Sequence, residues 1–319
     1  MSIIKTSSTL SLSDRLGSIK VRWGIGRTIY MKEPGLYALG EPDENSPVIV
    51  TANYKLTFDI VRSKLVGFNL YILVLDTKGV NVWCAAGKGT FGTDELITRL
   101  KATHLSEVVA HRTLILPQLG AVGVAAHEIK KQTGFKVVFG PVRAEDLSTF
   151  LINEMNATPE MRQVRFPLRD RFVLIPVELV GFVLPTLLLA LFLTGLSIFH
   201  HNGLYFDAHE AKIILRNTVL AYVGGVAITP ICLPWIPFRS FSAKGALVGI
   251  VLVMLISAIM TPWLLIMTAI SSFIAMNFTG SSTYTSLSGV QKEMRLAVPL
   301  QLAALVMGIV WFMALRLIG

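Results

Sequence analysis

The stretch Asn69-Leu70-Tyr71-Ile72-Leu73-Val74-Leu75-Asp76, then Thr77-Lys78-Gly79-Val80, then Asn81-Val82-Trp83-Cys84-Ala85-Ala86-Gly87-Lys88, decides how the first half of this chain folds. Its opening eight residues are an almost unbroken apolar run. A strand with one wet face alternates polar and apolar residues, whereas an unbroken run marks a strand covered on both faces, as in a parallel sheet. Working outward, Pro47-Val48-Ile49-Val50-Thr51 reads as a second strand rich in β-branched residues. Residues 112–116, closed by Pro117, give a third, and residues 135–139 a fourth. Helical spacing fills the gaps at 54–66, 93–101, 121–132 and 145–153. Thr93 can cap the second of these helices, with Asp94 and Glu95 in its first turn, and Gly134 can close the third. Strand–helix alternation of this kind predicts a Rossmann-like α/β domain with a parallel sheet and right-handed crossovers.

The whole chain has 319 residues, of which 53% are hydrophobic and only 15% charged, with a net charge of +9. Soluble proteins carry about 25% charged residues. A wholly soluble globular protein and a disordered chain are both excluded. Two cysteines exclude a disulfide scaffold, and also a four-cysteine zinc or iron–sulfur site built from this chain alone. The charge is unevenly spread: residues 1–171 hold 22 Lys/Arg and 16 Asp/Glu, and residues 172–319 hold 7 and 4. The boundary predicts a water-facing domain over 1–171 and an all-α transmembrane domain over 172–319.

A spanning helix needs about 20 apolar residues. Five segments are expected to qualify: 172–198, 213–238, 243–259, 262–278 and 296–318, the third and fourth joined by a tight turn at Met260-Thr261. Loops rich in Lys and Arg stay inside. Arg162, Arg165, Arg169 and Arg171 precede the first span, Arg239 and Lys244 separate the second and third, and Lys292 and Arg295 precede the fifth. All agree on one orientation, a multi-pass protein of the cytoplasmic (inner) membrane with its N-terminal domain in the cytoplasm. The first twelve residues contain no secretory signal. The arginine cluster reads as headgroup-facing, and no nucleic-acid partner is expected. Glu178, Arg216 and Arg316 lie within the spans but close to their ends, where snorkelling accounts for them. The polar stretch 277–293, dense in Ser, Thr and Gly, is either a linker or a docking surface.

Ligands of open α/β sheets lie beyond the carboxyl ends of the strands. Here those ends are Thr51-Ala52-Asn53, Asp76-Thr77-Lys78, Pro117-Gln118-Leu119-Gly120 and Gly140-Pro141. Nucleotide motifs fail. Trp23-Gly24-Ile25-Gly26 lacks a third glycine, and Gly87-Lys88-Gly89-Thr90 lacks the spacing of a phosphate loop. The segment after the second strand end is the unusual one. Asn81 can cap a short helix and Gly87 can end it, with Trp83 and Cys84 as its only substantial side chains. Cys84 reads either as a small buried residue or as a thiolate favoured by the helix N-terminus and Lys88.

The segment Asn81-Val82-Trp83-Cys84-Ala85-Ala86-Gly87-Lys88 closely resembles the cap-helix motif of the membrane-bound corrinoid proteins of mercury methylation (the HgcA family). The order of an α/β domain and five spans is similar to that family's. Residues 277–293 also resemble a segment of the corrinoid iron–sulfur protein of acetyl-CoA synthesis, whose cluster-binding part is missing here. The resemblance implies a cobalamin-dependent methyltransferase of anaerobic metabolism. It implies methylcobalamin held base-off, with Cys84 as the lower ligand of cobalt. Asn81, Val82, Trp83, Ala85 and Ala86 would lie under the corrin, with Gly87 and Lys88 closing the same helix. The strand ends Thr51, Asp76, Pro117, Gln118, Leu119, Gly120, Gly140 and Pro141 would hold the corrinoid's periphery. A methyl group passed to the electrophile Hg(II) must leave with its electrons, and a soft thiolate below cobalt suits that step. A ferredoxin-like iron–sulfur partner, to reduce cobalt, and a methyltetrahydrofolate-dependent methyl donor are further implications. Two other functions fit less fully: a corrinoid methyl carrier in acetyl-CoA metabolism, and a transporter with a cytoplasmic regulatory domain.

Overall fold

The four apolar runs pair as strands in a computed structural model, which describes residues 3–256, 261–281 and 287–318. They are β3 (Val48–Ala52), β4 (Leu70–Leu75), β5 (Thr113–Leu116) and β6 (Lys136–Phe139), and neighbours among them run parallel. Two further strands, β1 (Ile4–Thr6) and β2 (Gly35–Leu39), extend the sheet. Among the described residues it has the order β1-β2-β4-β3-β5-β6. β2 runs antiparallel to β4, so the sheet is mixed rather than purely parallel. The physical reason is coverage: β2 shields the edge of β4 that an open sheet would leave exposed.

Alternation along the strands splits the core in two. Val50, Leu73 and Leu75 face one side and meet Leu96, Leu100 and Ile129. Ile49, Ile72 and Val74 face the other and meet Phe58, Val61 and Phe150. The helices that supply these partners are α2 (Lys55–Ser63), α4 (Thr93–Ala102), α6 (Ala126–Thr133) and α7 (Leu147–Ile152). The remaining helices of this half are α1 (Leu12–Arg22), α3 (Val82–Lys88) and the one-turn α5 (Leu105–Val108).

Charge fastens α1 to α2. Ser11 and Asp14 cap α1 reciprocally, the Asp14 N–H donating to Ser11 Oγ at 3.1 Å and the Ser11 N–H to Asp14 Oδ2 at 3.0 Å. The Asp14 carboxylate also accepts from Lys55 Nζ at 2.5 Å and Arg62 Nη2 at 2.8 Å, and Asp59 completes the cluster. Burial alone would raise the Asp14 carboxyl, but its hydrogen bonds from Lys55, Ser11 and Arg62 outweigh burial and hold it well below the usual carboxylate range.

The chain divides into two units, residues 1–21 with 25–164, and residues 22–24 with 165–319. The second is helical: α8 (Leu168–Ser197), α9 (Ala208–Val223), α10 (Thr229–Cys232), α11 (Phe241–Ile256), α12 (Pro262–Ser281) and α13 (Leu287–Leu317). A π-type turn, Gly224–Ile228, joins α9 to α10. Among the described residues four helical stretches are long and apolar enough to cross a membrane: Leu168–Ser197, Ala208–Cys232, Pro262–Thr279 and Gly289–Leu317. The expected third span, 243–259, is described over α11, 16 residues or about 24 Å of helix, and its residues 257–259 lie outside the described set. Met260, of the expected turn, lies outside the described residues. α11 packs closely on α12 through Gly245 and Gly249: a Cβ would come 2.6 Å from the Ser271 carbonyl at the first and 2.7 Å from Thr268 Cα at the second.

Three sequence expectations are revised here. The stretch 277–293 is helical at both ends, in α12 and α13, and its residues 282–286 lie outside the described set. Polar residues are accommodated because they find partners across helices; Glu293 Oε1 accepts the Ser242 N–H at 2.7 Å. The arginines before α8 do not act as one headgroup-facing group. Arg171 is buried, donating to the Pro230 and Ile231 carbonyls, and Arg162 reaches back onto the strand ends of the first unit. Arg316 is held by Glu210, His200 and the Ser197 carbonyl rather than extended to a surface.

The charge cluster gives a pH signature. The Asp14 contribution is complete above the unfolded carboxylate range, near pH 4, and is lost as pH falls toward its depressed folded value. Asp14→Asn should cost on the order of 2–3 kcal/mol at neutral pH, less than the ~3–5 of a fully buried pair. Chemical denaturation of the full chain in detergent should show the gap between wild type and variant constant at pH 6–7 and closing below about pH 4. A gap that stays constant down to pH 2 would show that the carboxylate charge contributes nothing.

Candidate functional site

The sheet delivers its ends to one region, and a small hydrogen-bond hub organises it. Asn53, directly after β3, is 3% exposed. Its Oδ1 accepts from the Thr77 hydroxyl at 2.8 Å, the Thr77 N–H at 3.1 Å and the Gly79 N–H at 3.0 Å. Its Nδ2 donates to Asp76 Oδ1 at 3.2 Å. The turn after β4 is thereby pinned from the neighbouring strand. Lys78 and Gly79 take positive φ, 56° and 70°. A Cβ at Gly79 would strike the Met31 side chain at 2.7 Å, so the residue must be glycine on both grounds.

Helix α3 starts from this turn. Asn81 sits at the N-cap and its Oδ1 accepts the Cys84 N–H at 2.9 Å. Gly89, at φ 80°, ends the helix in the left-handed conformation. The earlier expectation had Gly87 in that role; the stop comes two residues later, and Gly87 is the last turn's open position. Val82, Ala85 and Ala86 are buried in the first core. Residues at i, i+3 and i+4 share one helix face, so Trp83, Cys84, Gly87 and Lys88 are left on the outward side. The first two are half-buried and the last two exposed. A Cβ on Gly87 would meet nothing within 4 Å. A close backbone contact seats the helix from behind: a Cβ at Gly123 would lie 3.1 Å from Ala86 Cα and 2.2 Å from the Phe91 carbonyl oxygen.

The electrostatics of Cys84 are a contest. Burial pushes its thiol above the ordinary cysteine value, while the Asn81 hydrogen bond and the charges of Lys88 and Arg27 pull it down. Burial wins, so helix N-terminus and Lys88 alone do not yield a ready thiolate. Among the described residues no group of three or more His, Cys, Asp or Glu side chains could hold a metal ion by itself. Cys84 therefore offers one soft donor on an open face. That set suits a metal carried inside a flat macrocycle, which brings its other ligands with it.

The remaining expected residues divide by placement. Asp76 lies at the hub; burial would raise its carboxyl, but Lys78 outweighs that and lowers it. Its N–H donates to Glu95 Oε1 at 2.8 Å, which ties the strand end to α4. Pro117 leads into a 3₁₀ turn, Gln118–Gly120, that lies against α3. Leu119 packs on the core, and Gly120 is packed under the Phe91 ring, which a Cβ would meet at 2.5 Å. Thr51 is enclosed in the sheet and 1% exposed; its hydroxyl finds no partner among the described residues. Gly140 and Pro141 are buried at the end of β6. Arg162 donates to the Phe139 carbonyl at 3.1 Å and to Gln118, bridging the ends of β5 and β6. Sequence reasoning left Arg27 and Gly123 without a role, named Asn53 only as part of a strand end, and read Arg162 as headgroup-facing. An Asn directly after a buried strand was a local signal; the other three act through distant partners.

Residues 23–151 match the family model of the CO dehydrogenase/acetyl-CoA synthase delta subunit. Among curated proteins, the acetyl-CoA decarbonylase/synthase complex subunit gamma of Methanopyrus kandleri is 35% identical over 124 residues, which is 38% of this chain and 26% of that protein. The same-named subunit of Archaeoglobus fulgidus is 35% identical over 136 residues, 42% and 28% of the two chains. The corrinoid/iron-sulfur protein large subunit of Moorella thermoacetica is 32% identical over 120 residues, 37% and 26%. The chain spans about a quarter of the length of these relatives. The likeness relates this part of the chain to subunits of acetyl-CoA decarbonylase/synthase complexes and to a corrinoid/iron-sulfur protein.

The hub makes a positioning claim that can be measured. Asn53→Ala leaves the buried Gly79 N–H without its acceptor, while the Thr77 N–H and hydroxyl keep the Leu75 and Val80 carbonyls, and should cost roughly 1–3 kcal/mol. In a Cys232→Ser background it should also speed maleimide labelling of Cys84, because α3 loses its launching turn. An unchanged labelling rate would remove Asn53 from the site.

Proposed function

We propose that this chain is a membrane-anchored corrinoid protein that carries a methyl group, in which Cys84 would be the protein's ligand to cobalt. The observation that carries the reading is the outward face of α3, where one half-buried thiol stands beside a glycine with open space above it. The likeness to corrinoid proteins supports it over the same residues. Bound there, a corrinoid would supply a cobalt atom to which a methyl group can be attached and from which it can leave.

The chain's own residues do the holding. Asn81 fixes the direction of the helix and so of the sulfur. Val82, Ala85 and Ala86 anchor the helix in the core, and Trp83, Gly87 and Lys88 form the surface nearest the ligand. Arg27 and Lys88 offset the cost of a buried thiolate once the proton has left. The strand end at Asp76 and the Gln118–Gly120 turn, which lies against α3, would hold the corrinoid's periphery. The helical unit would fix the carrier to the cytoplasmic membrane, with Arg239, Lys244, Lys292 and Arg295 on the inside. Reduction of cobalt calls for an iron–sulfur partner of ferredoxin type, since two cysteines cannot make a cluster here. A methyltetrahydrofolate-dependent enzyme is the proposed methyl source.

A chemical argument, conditional on the Cys84 ligand, supports a second, narrower reading, in which Hg(II) is the methyl acceptor. A thiolate donates electron density to the metal above it more strongly than an imidazole or a benzimidazole does. Such a donor favours release of the methyl group toward an electrophile. Methyl transfer into acetyl-CoA synthesis, by contrast, gains nothing from it.

The test uses the purified full chain in detergent, loaded with methylcobalamin. Wild type should show a cobalt–thiolate absorption signature, and Cys84→Ala should lose it. Given Hg(II), wild type should form methylmercury, Cys84→Ala none and Cys84→His a small fraction. Retention of the signature in Cys84→Ala would sink the ligand assignment. An intact signature without methylmercury would leave the carrier reading and remove the mercury one.

A further inference from the structure

The helical unit holds a cavity of about 790 Å³ bounded by α11, α12 and α13, within the size range of small-ligand sites. Methyl transfer makes no use of it. Its lining changes character along its length. Arg239, Ser240 and Lys292 stand at one end, and Ala246, Leu300 and Ala304 line the other. Arg239 and Lys292 are exposed, and among the described residues neither forms an ion pair. Glu293 also borders the cavity, but its carboxylate is engaged at the first turn of α11, accepting the Ser242 N–H at 2.7 Å. Counting its carboxylate, the charged end carries two cations against one anion and is net positive.

A buried amide supplies the second, independent observation. Gln301 lines the cavity and is 7% exposed. Its Nε2 donates to Ser272 Oγ at 2.8 Å, and Ser272 Oγ donates to the Ser242 carbonyl at 2.9 Å. Ser272 has a single proton and has given it to Ser242, so the amide must present its nitrogen to Ser272. That fixes Gln301 Oε1 as the outward atom, buried and with no donor among the described residues. Thr268, on the same wall, has a buried hydroxyl that likewise lacks a partner among them. Its partner Ser272 is joined through the Ser242 carbonyl to the residue whose N–H Glu293 accepts, which places the Gln301 amide toward the Lys292 end.

An occupant that satisfies all three features carries a negative charge, a hydrogen-bond donor close to it, and an apolar tail. We propose that this cavity binds an acidic phospholipid whose headgroup bears a hydroxyl, with phosphatidylglycerol as the simplest case. The phosphate pairs with Arg239 and Lys292, the headgroup hydroxyl donates to Gln301 Oε1, and an acyl chain lies along Leu300 and Ala304. Basic pockets between spans on the cytoplasmic side are suited to such headgroups, and the positive-inside orientation puts this end of α13 there. The proposal rests on the helical unit's lying in a bilayer and is independent of the corrinoid.

The experiment uses the full chain in detergent, stripped of lipid, and reads lipid retained by native mass spectrometry and the shift in melting temperature. The probes are phosphatidylglycerol, phosphatidylmethanol (the same charge without the hydroxyl) and phosphatidylcholine (no net charge). Wild type should retain phosphatidylglycerol roughly 10- to 30-fold better than phosphatidylcholine, with phosphatidylmethanol between them. Arg239→Gln with Lys292→Gln should bring phosphatidylglycerol down to the phosphatidylcholine level. Both positions are exposed, so this variant keeps its fold, as its melting temperature without lipid will report. Gln301→Leu should erase the difference between phosphatidylglycerol and phosphatidylmethanol while both still exceed phosphatidylcholine. Soluble glycerol phosphate should not compete; effective competition would mean that no tail is bound and would overturn the lipid assignment. Equal retention of phosphatidylglycerol and phosphatidylcholine by wild type, or wild-type retention by the charge variant, would overturn the site. Equal retention of phosphatidylglycerol and phosphatidylmethanol by wild type would overturn the role of Gln301.

Discussion

The proposed corrinoid site depends on a seven-residue helix that could not stand alone. Isolated helices shorter than about 12–15 residues are marginal in water, and α3 has half that length. It persists because each weakness is met from outside. Asn81 answers an orphan N–H at the start, and Gly89 turns the chain at the end. Val82, Ala85 and Ala86 bury one whole face, and Gly123 lets a neighbouring backbone lie directly behind Ala86. The direction of the Cys84 sulfur is therefore a property of the sheet and its loops, not of the helix itself.

A second constraint operates in the same unit. The Asp14, Lys55, Asp59 and Arg62 cluster ties α1 to α2 through groups that are largely shielded from water. Such a cluster is stable only when complete, since a lone member would be a buried charge without a partner. Arg62 additionally donates to the Ser7 and Thr9 carbonyls, which secures the segment that follows β1. The edge strand β1, three residues long, is held as much by this ionic clamp as by its pairing with β2.

The sequence made some of this legible and concealed the rest, for physical reasons. Buried parallel strands declare themselves as apolar runs, so β3, β4, β5 and β6 could be read one at a time. Helix caps are local too, which is why Asn81 stood out. β2 did not: Gly-Leu-Tyr-Ala-Leu is short, and its strand character comes from pairing antiparallel with β4, more than thirty residues away. The two faces of α3 were available from helical spacing alone, yet resemblance to a motif treats its residues as one surface. Spacing assigns Val82, Ala85 and Ala86 to the core and leaves Trp83, Cys84, Gly87 and Lys88 outside. Arginines before an apolar run invite a single topogenic reading, but Arg162 and Arg171 found carbonyl partners far along the chain, and no local pattern encodes that.

The raised thiol of Cys84 looks at first like evidence against a ligand. Burial is the largest influence on it and disfavours the bare thiolate. The same desolvation acts in the opposite sense once a metal is near, because a cation answers the charge that water no longer screens. A coordinated thiol loses its proton outright. A sulfur on an open surface would be a thiolate more often, but it would be shared with every passing electrophile and held by nothing. Half-buried on α3, with Arg27 and Lys88 nearby to temper the cost, Cys84 is a poor nucleophile by itself. That reticence suits the ligand role proposed for it.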